Sequence, residues 1–277
     1  MKTLEETKLY KNWKRLLEYR EQRVLGLKIG YKCLDDYLLG LGNTVGIQAD
    51  TGLNKSTLAA QIIRYNALIG IPCILIDREN GPGRIQSRLL CQHNHISETI
   101  VMSASIEQLK KYRKAIYDLP IHVHTESIGS SEILGQRIEE LFKMYNSDKA
   151  ILTIDSFQAL DRIAKDERVS LEAWSYYFDA LKLKYGGRLT IININEKKQA
   201  AYGKDELGTG KGSNVVDYKN ETILNISATK NNQLAIKIIK NRDGITGGRF
   251  LFDRELMDHT NPRSFTFNLI PVEDIEL

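Results

Sequence analysis

The chain is poor in cysteine, proline and histidine. Its three cysteines, Cys33, Cys73 and Cys91, stand far apart and form no C-x-x-C pair. That spacing argues against a disulfide framework and a zinc ribbon, and points to reduced thiols in a cytosolic setting. The five histidines include two H-x-H pairs, His93/His95 and His122/His124. Two imidazoles do not make a metal centre, so both pairs read as surface or edge residues. No apolar run approaches the roughly 20 residues needed to span a bilayer. The N-terminus, MKTLEETKLYKNWKR, is too charged for a secretory signal. A large excess of one charge is also lacking. The net charge of +4 permits a nucleic-acid partner without arguing for one. Internal repeats and low-complexity linkers are absent. The 277 residues, 42% of them hydrophobic, fit one large domain or one domain with an extension.

What is present is a phosphate-binding loop in its proper setting. Gln48-Ala49-Asp50-Thr51-Gly52-Leu53-Asn54-Lys55-Ser56-Thr57 is a near match to A/G-x-x-x-x-G-K-S/T. A β-prone run, Thr44–Gln48, precedes it, and a helical pattern from Ser56 follows. Strand, tight loop and helix N-terminus together make a triphosphate site. The backbone N–H groups of Ala49 to Thr57 would cradle the phosphates, and Lys55 would neutralise charge at the β- and γ-positions. The Ser56 hydroxyl suits Mg²⁺, which takes hard oxygen ligands. One residue departs from the pattern: Asn54 stands where a glycine belongs. Asn is among the residues that best tolerate left-handed geometry, so the loop reads as modified, not destroyed.

Along the chain, residues 1–25 form a charged helical segment. Leu9, Trp13, Leu16, Leu17, Arg20 and Val24 recur at 3–4 residue spacing, and Gly26 ends it. Its apolar stripe needs a partner, either its own domain or a neighbouring subunit. From residue 26 onward the chain reads as one nucleotide-binding domain. Strands are expected at Thr44–Gln48, Cys73–Glu79, Ile121–His124, Ala150–Asp155 and Leu189–Asn195. Helices are expected at Ser56–Leu68, Gly83–Gln92, Ile106–Asp118, Ser131–Tyr145 and Leu171–Tyr185. Such alternation indicates an α/β fold on a mostly parallel sheet. The tail changes character: Thr222–Thr229, Leu234–Lys240 and Arg249–Asp253 read as consecutive antiparallel strands extending that sheet.

Further residues carry chemistry. Asp155 ends a buried strand, where open α/β sheets place ligands, and would hold Mg²⁺ through its water shell. Alternation along the Cys73–Glu79 strand puts Asp77 and Glu79 on one face. Glu79 is the outer of the two and is the candidate general base. Lys240 and Arg242 share a strand face before a turn. Such a tip could project into another subunit's nucleotide site as an arginine finger does. Two loops could follow a phosphate chain. One carries Arg162 and Lys165. The other carries Lys197, Lys198, Lys204, Lys211, Gly212 and Ser213.

Taken as a set, these residues resemble the C-terminal motor domain of DnaB-type replicative helicases, within the RecA-like ATPases. Leu27-Lys28-Ile29-Gly30-Tyr31-Lys32-Cys33-Leu34-Asp35, followed by Gly40 and Gly42, is similar to that family's T-G-F-x-x-L-D-x-x-x-G-G-L opening. Glu79 matches the acid of its S-L-E-M segment, and Arg88-Leu89-Leu90 follows at the spacing of its R-M-L. Leu119-Pro120-Ile121-His122-Val123-His124-Thr125 resembles its L-P-I-Y-I-x-D-T strand. Lys240-Asn241-Arg242-Asp243-Gly244-Ile245-Thr246-Gly247 is similar to its K-x-R-N-G-P-T-G, which bears a trans-acting lysine and arginine. The resemblance implies a hexameric ring, ATP and Mg²⁺ at subunit interfaces, single-stranded DNA in the channel, and a primase or loader as possible partner. It makes residues 1–25 a linker helix docked on an adjacent subunit. Two departures stand out. The family's S-Q-L, whose glutamine senses γ-phosphate, is replaced by Asn193-Ile194-Asn195, and either Asn is a candidate substitute. The N-terminal helical domain of the family has no counterpart, so a motor-only version is expected, as in phage or mobile-element replication proteins.

The leading expectation is therefore an ATP-dependent DNA helicase or translocase on single strands. Two alternatives stay open: a RecA-like recombination or annealing ATPase, and a nucleotide-binding regulator with weak or no hydrolysis.

Overall fold

A computed structural model describes residues 27–38, 40–128, 130–197, 214–231, 233–242, 244–256 and 265–276. The segment 1–25 and the loop positions Lys198, Lys204, Lys211, Gly212 and Ser213 lie outside the described residues.

A nine-stranded sheet runs through the described residues, in the order β3-β2-β4-β5-β1-β6-β7-β8-β9. Its strands are β1 (Thr44–Ala49), β2 (Cys73–Asp77), β3 (Ile121–His124), β4 (Ala150–Asp155), β5 (Leu189–Glu196), β6 (Thr222–Ala228), β7 (Leu234–Asn241), β8 (Arg249–Leu256) and β9 (Phe265–Glu276). The first six are parallel; β7, β8 and β9 follow antiparallel. The helices are α1 (Lys32–Leu38), α2 (Lys55–Leu68), α3 (Pro82–Asn94), α4 (Glu98–Ser103), α5 (Ile106–Tyr117), α6 (Ser131–Tyr145), α7 (Glu167–Tyr185) and α8 (Asn214–Lys219). The expected α/β architecture with an antiparallel C-terminal extension is what forms. Among the described residues no helix is long and apolar enough to cross a membrane.

The inner strands are buried on both faces, as near-continuous apolar runs require in a parallel sheet. On one face Val45, Ile47, Cys73, Leu75, Ile151, Ile192 and Ile194 pack against Leu58, Ile62 and Ile63 of α2. On the other face Ile74, Ile76, Leu152, Ile154 and Ile191 pack against Leu134 and Ile138 of α6 and Trp174 and Phe178 of α7. Strand alternation sorts these sets, so it also decides which strand-end side chains meet the phosphate loop.

Local signals set the helix starts. Ser105 and Gln108 form a reciprocal capping box at α5. Ser130 caps α6 through the amide of Ile133, and Asp166 caps α7 through that of Val169. In the opening motif, Asp35 accepts the amides of Ile29 (2.6 Å) and Gly30 (3.0 Å). Gly30 sits at φ 95°, and a Cβ there would meet the Tyr65 ring at 2.7 Å. The spacing of that glycine and aspartate is thus a folding device.

Candidate functional site

The loop after β1 carries Ala49, Asp50, Thr51, Gly52, Leu53, Asn54, Lys55, Ser56 and Thr57 into the first turn of α2. Asn54 is the residue before the helix and adopts φ 60°, ψ 25°, the left-handed conformation. The substitution of glycine by Asn therefore keeps the backbone path, because Asn adopts this region at lower cost than most side chains. Asn54→Ala is expected to lower the unfolding free energy by about 1 kcal/mol, whereas Asn54→Gly should leave it within roughly 0.5 kcal/mol. Urea titration of the nucleotide-free protein measures both. Equal destabilisation by the two would show that the backbone angle is not what Asn54 supplies.

Lys55 Nζ lies across the loop, donating to the carbonyls of Ala49 and Asp50 at 3.2 Å each. Burial lowers its pKa, and the carboxylates of Glu196, Glu79, Asp155 and Asp50 oppose that shift in that order. Beside it, the Ser56 hydroxyl is hydrogen-bonded to Asp155. Asp155 is 2% exposed at the end of β4. Burial pushes its carboxyl up to about 6; the charges of Asp77 and Glu79 add to this, while Ser56 and Arg88 work against it. These two hard oxygen donors fit Mg²⁺, an ion that keeps most of its shell as water and phosphate oxygen.

The raised Asp155 pKa has a stability consequence. Folded, the carboxyl titrates near 6; its ordinary value is 3.8. Between those values the native state holds a proton that the unfolded chain has lost. This group's contribution therefore falls as pH climbs through that window, and the full penalty stands above it. Asp155→Asn should stabilise the nucleotide-free protein at pH 7.5 by roughly 2 kcal/mol, with no gain at pH 3.5. Denaturation curves at the two pH values check this, and a gain of equal size at both would refute it.

Glu79 was expected on one face with Asp77, in a strand reaching Glu79. The strand stops at Asp77 instead. Asp77 is buried, and its Oδ1 accepts the amides of Glu79 (3.1 Å) and Asn80 (2.8 Å), which bends the chain away. Glu79 is exposed beyond that bend, and the Ser156 hydroxyl donates to its carboxylate. Ser156 directly follows Asp155, so Glu79 is tied to the end of β4 by a route other than the one expected.

The sheet brings together the loop, Lys55, Ser56, Asp155 and Glu79. It sets Lys240 and Arg242 apart. Lys240 pairs with Ile223, which pairs with Gly46, and Arg242 lies two residues beyond Lys240. Arg242 is thus level with the start of β1, whereas the phosphate loop leaves its end, roughly 17 Å away along the strands. Lys240 Nζ donates to the carbonyls of Asp217 (3.0 Å) and Tyr218 (2.8 Å) of α8. Burial lowers its pKa, and Arg242 adds to that. The Arg242 amide donates to the Glu221 carbonyl at 2.9 Å, and its half-exposed guanidinium lies 3.8 Å from the Glu221 carboxylate.

Of the residues expected on a phosphate chain, Arg162 and Lys165 are exposed in the segment after β4. Arg162 pairs loosely with Glu167 at 3.4 Å. Lys197 needs a correction. It is 2% exposed, so its side chain is packed inside and does not offer a cation to a solvent-facing groove. Of the two histidine pairs, His95 pairs with Glu255 (3.0 Å) and His122 contacts the Tyr145 hydroxyl (2.9 Å).

Asn193 and Asn195 also need a correction. Both are buried on the sheet face opposite α2, since Ile192 and Ile194 occupy the α2 side. The strand-end residue on the phosphate-loop side is Glu196, opposite Ala49. The strand runs one residue beyond the expected end at Asn195, and alternation from Ile192 and Ile194 puts Glu196 on the α2 side.

A second group lay outside the sequence reading. Arg254, Phe267, Asn268 and Leu269 of β8 and β9 line a cavity of about 190 Å³ with Gly52, Asn54 and Thr57. Gln92 of α3 staples it, donating to the carbonyls of Thr57 and Phe267 at 3.0 Å each. Phe267 has φ 64°, and the Arg88 guanidinium lies 5.9 Å from its ring centre.

This sheet order and loop define a fold class: a RecA-like α/β domain with a phosphate-loop sequence after its first strand. Among solved structures, the ATPase domain of G40P matches with a TM-score of 0.80 over 96% of this chain and 99% of its own, at 15% identity. A DnaB-like replicative helicase, described with its interactions with primase, matches with 0.79 over 96% of this chain and 67% of its own, at 16% identity. The KaiC-like protein PH0186 from the archaeon Pyrococcus horikoshii matches with 0.60 over 89% and 98%, at 18% identity. No protein-family model and no curated protein sequence matches the chain. The fold is that of the RecA-like ATPase domains of DnaB-type helicases, as the resemblance implied.

Proposed function

We propose that this protein is an ATP-hydrolysing motor that moves on or unwinds DNA from a single strand, working as a head-to-tail ring of copies. The observation that carries this reading is the separation of the two halves of one site. The loop, Lys55, Ser56 and Asp155 stand at the C-terminal ends of the strands, whereas Arg242 is level with the start of β1 and Lys240 lies two residues further in, level with Gly46. A single copy cannot bring them together, so the pair would complete the site of a neighbour. The solved structures with this fold, a replicative helicase among them, support the same reading.

In this reading Lys55 leaves the two loop carbonyls and takes the β- and γ-phosphate oxygens. Amides from Gly52 to Thr57 hold the β-phosphate at the start of α2. The cavity beside Asn54 and Phe267 takes the nucleoside. Glu79, at the exposed lip, orients or deprotonates the attacking water. Ser56 and Asp155 would hold Mg²⁺, whose charge offsets that developing on the phosphate oxygens. Lys240 and Arg242 of the next copy stabilise the same charge only as the bond breaks. Arg162 and Lys165, with Lys198, Lys204 and Lys211, would track the nucleic-acid backbone, and a primase or loader would be an additional partner.

The test measures ATP turnover with and without single-stranded DNA, together with strand displacement on a forked duplex. DNA-stimulated turnover and displacement are expected. Turnover that no DNA stimulates, or no turnover at all, would remove the motor reading.

A further inference from the structure

Glu196 sits where a triphosphate would feel it. Register places it opposite Ala49, the residue that opens the phosphate loop. The chain just past it closes on that residue, since the Lys197 amide donates to the Ala49 carbonyl at 3.4 Å. The same carbonyl accepts the Lys55 ammonium at 3.2 Å. Alternation puts Glu196 on the α2 side of the sheet, in line with Asp77 and Asp155 at the ends of β2 and β4. Among the carboxylates acting on Lys55, Glu196 acts most strongly. A lysine that must serve phosphate thus already faces a fixed negative charge, half-buried and close to the loop.

We infer that Glu196 discriminates against the triphosphate in favour of the diphosphate. This rests on the nucleotide-site reading above. The reason is Coulombic. A diphosphate ends in the loop's amides, and Lys55 can keep its position near Glu196. A γ-phosphate draws the ammonium toward itself and adds its own negative charge near the carboxylate. Both effects penalise the triphosphate alone. A neutral amide at 196 removes both without removing a hydrogen-bonding side chain. Glu196 therefore sets the balance between the two nucleotide states, a balance that decides how readily product yields to fresh substrate.

The experiment compares dissociation constants for Mg·AMP-PNP and Mg·ADP in the wild type, Glu196→Gln and Glu196→Ala, by titration calorimetry. Both substitutions are expected to tighten AMP-PNP relative to ADP by about tenfold, the effect of one unit charge a few ångströms away in a partly solvated site. ADP affinity, expected to stay within about twofold by the same argument, reports that the loop is still folded. An unchanged AMP-PNP to ADP ratio in both variants would overturn the inference while leaving the nucleotide site intact. So would a collapse of turnover without a change in that ratio, which would make Glu196 part of the reaction itself. If neither nucleotide binds the wild type, the nucleotide-site reading falls and this inference falls with it.

Discussion

Replacing Lys55 with alanine is expected to lower ATP turnover by roughly 1,000-fold or more, the scale of removing a preorganised charge from developing phosphate charge. The ammonium is already half-buried and aimed across the loop, where it donates to the Ala49 and Asp50 carbonyls. Those two bonds are weak competitors for a doubly charged phosphate, so the residue is poised to exchange partners. Stability should hardly change, because a buried ammonium carries a desolvation penalty that cancels most of what the carbonyls return. Lys55→Arg should fail almost as badly, since a planar fork does not fit the space of a point charge. Phosphate release and thermal unfolding, measured on the same preparations, separate the two effects. Turnover within tenfold of wild type, in a folded variant, would remove Lys55 from the phosphate site.

Arg242→Ala should lose a comparable factor, about 1,000-fold, while ATP affinity stays within roughly threefold. The distinction follows from position. Arg242 is level with the beginning of β1 and cannot reach the loop at its end. It should therefore contribute nothing to ground-state binding in its own copy. Its present contact with Glu221 is long, at 3.8 Å, and the buried Glu221 carboxylate keeps Lys182 at 3.1 Å when the half-exposed arginine is removed. Folding should survive its loss. Titrating the variant into Lys55→Ala protein gives the sharper measurement. If the arginine serves a neighbour, an Arg242→Ala chain still offers a sound loop, and a Lys55→Ala chain still offers a sound arginine. Mixing the two inactive variants should then restore turnover at mixed junctions. No recovery in the mixture, with assembly demonstrated, would refute action across an interface.

How much of this was legible beforehand depended on where the signal lay. The phosphate loop could be read because a strand, a lysine and a helix start must be contiguous. Ile121–His124, Ala150–Asp155 and Ser131–Tyr145 came out with the expected bounds, since a clean apolar run or 3.6-residue pattern ends abruptly at each. Glu79 lies beyond the strand expected to carry it. Asp77 stops the strand by accepting the next two free amides, and periodicity does not register a side chain bonding its own backbone. Lys197 looked like a surface cation because lysine usually is one, yet just past the end of β5 its side chain is buried. Glu196 was missed by one position at a strand end, where boundaries are least determined. Phe267 and Asn268 had no sequence signal, because they reach the loop from about 200 residues downstream, through a strand whose pattern is irregular.

In the proposed assembly, the opposed placement of Lys55 and Arg242 would make each molecule directional, with one end that receives and one that gives. Joined unlike end to unlike end, copies form either an open row or a circle. A row always leaves one terminal receiver unfilled and one terminal giver idle, whereas a circle wastes neither. Specific activity per chain should therefore climb with protein concentration and level off when the row closes on itself.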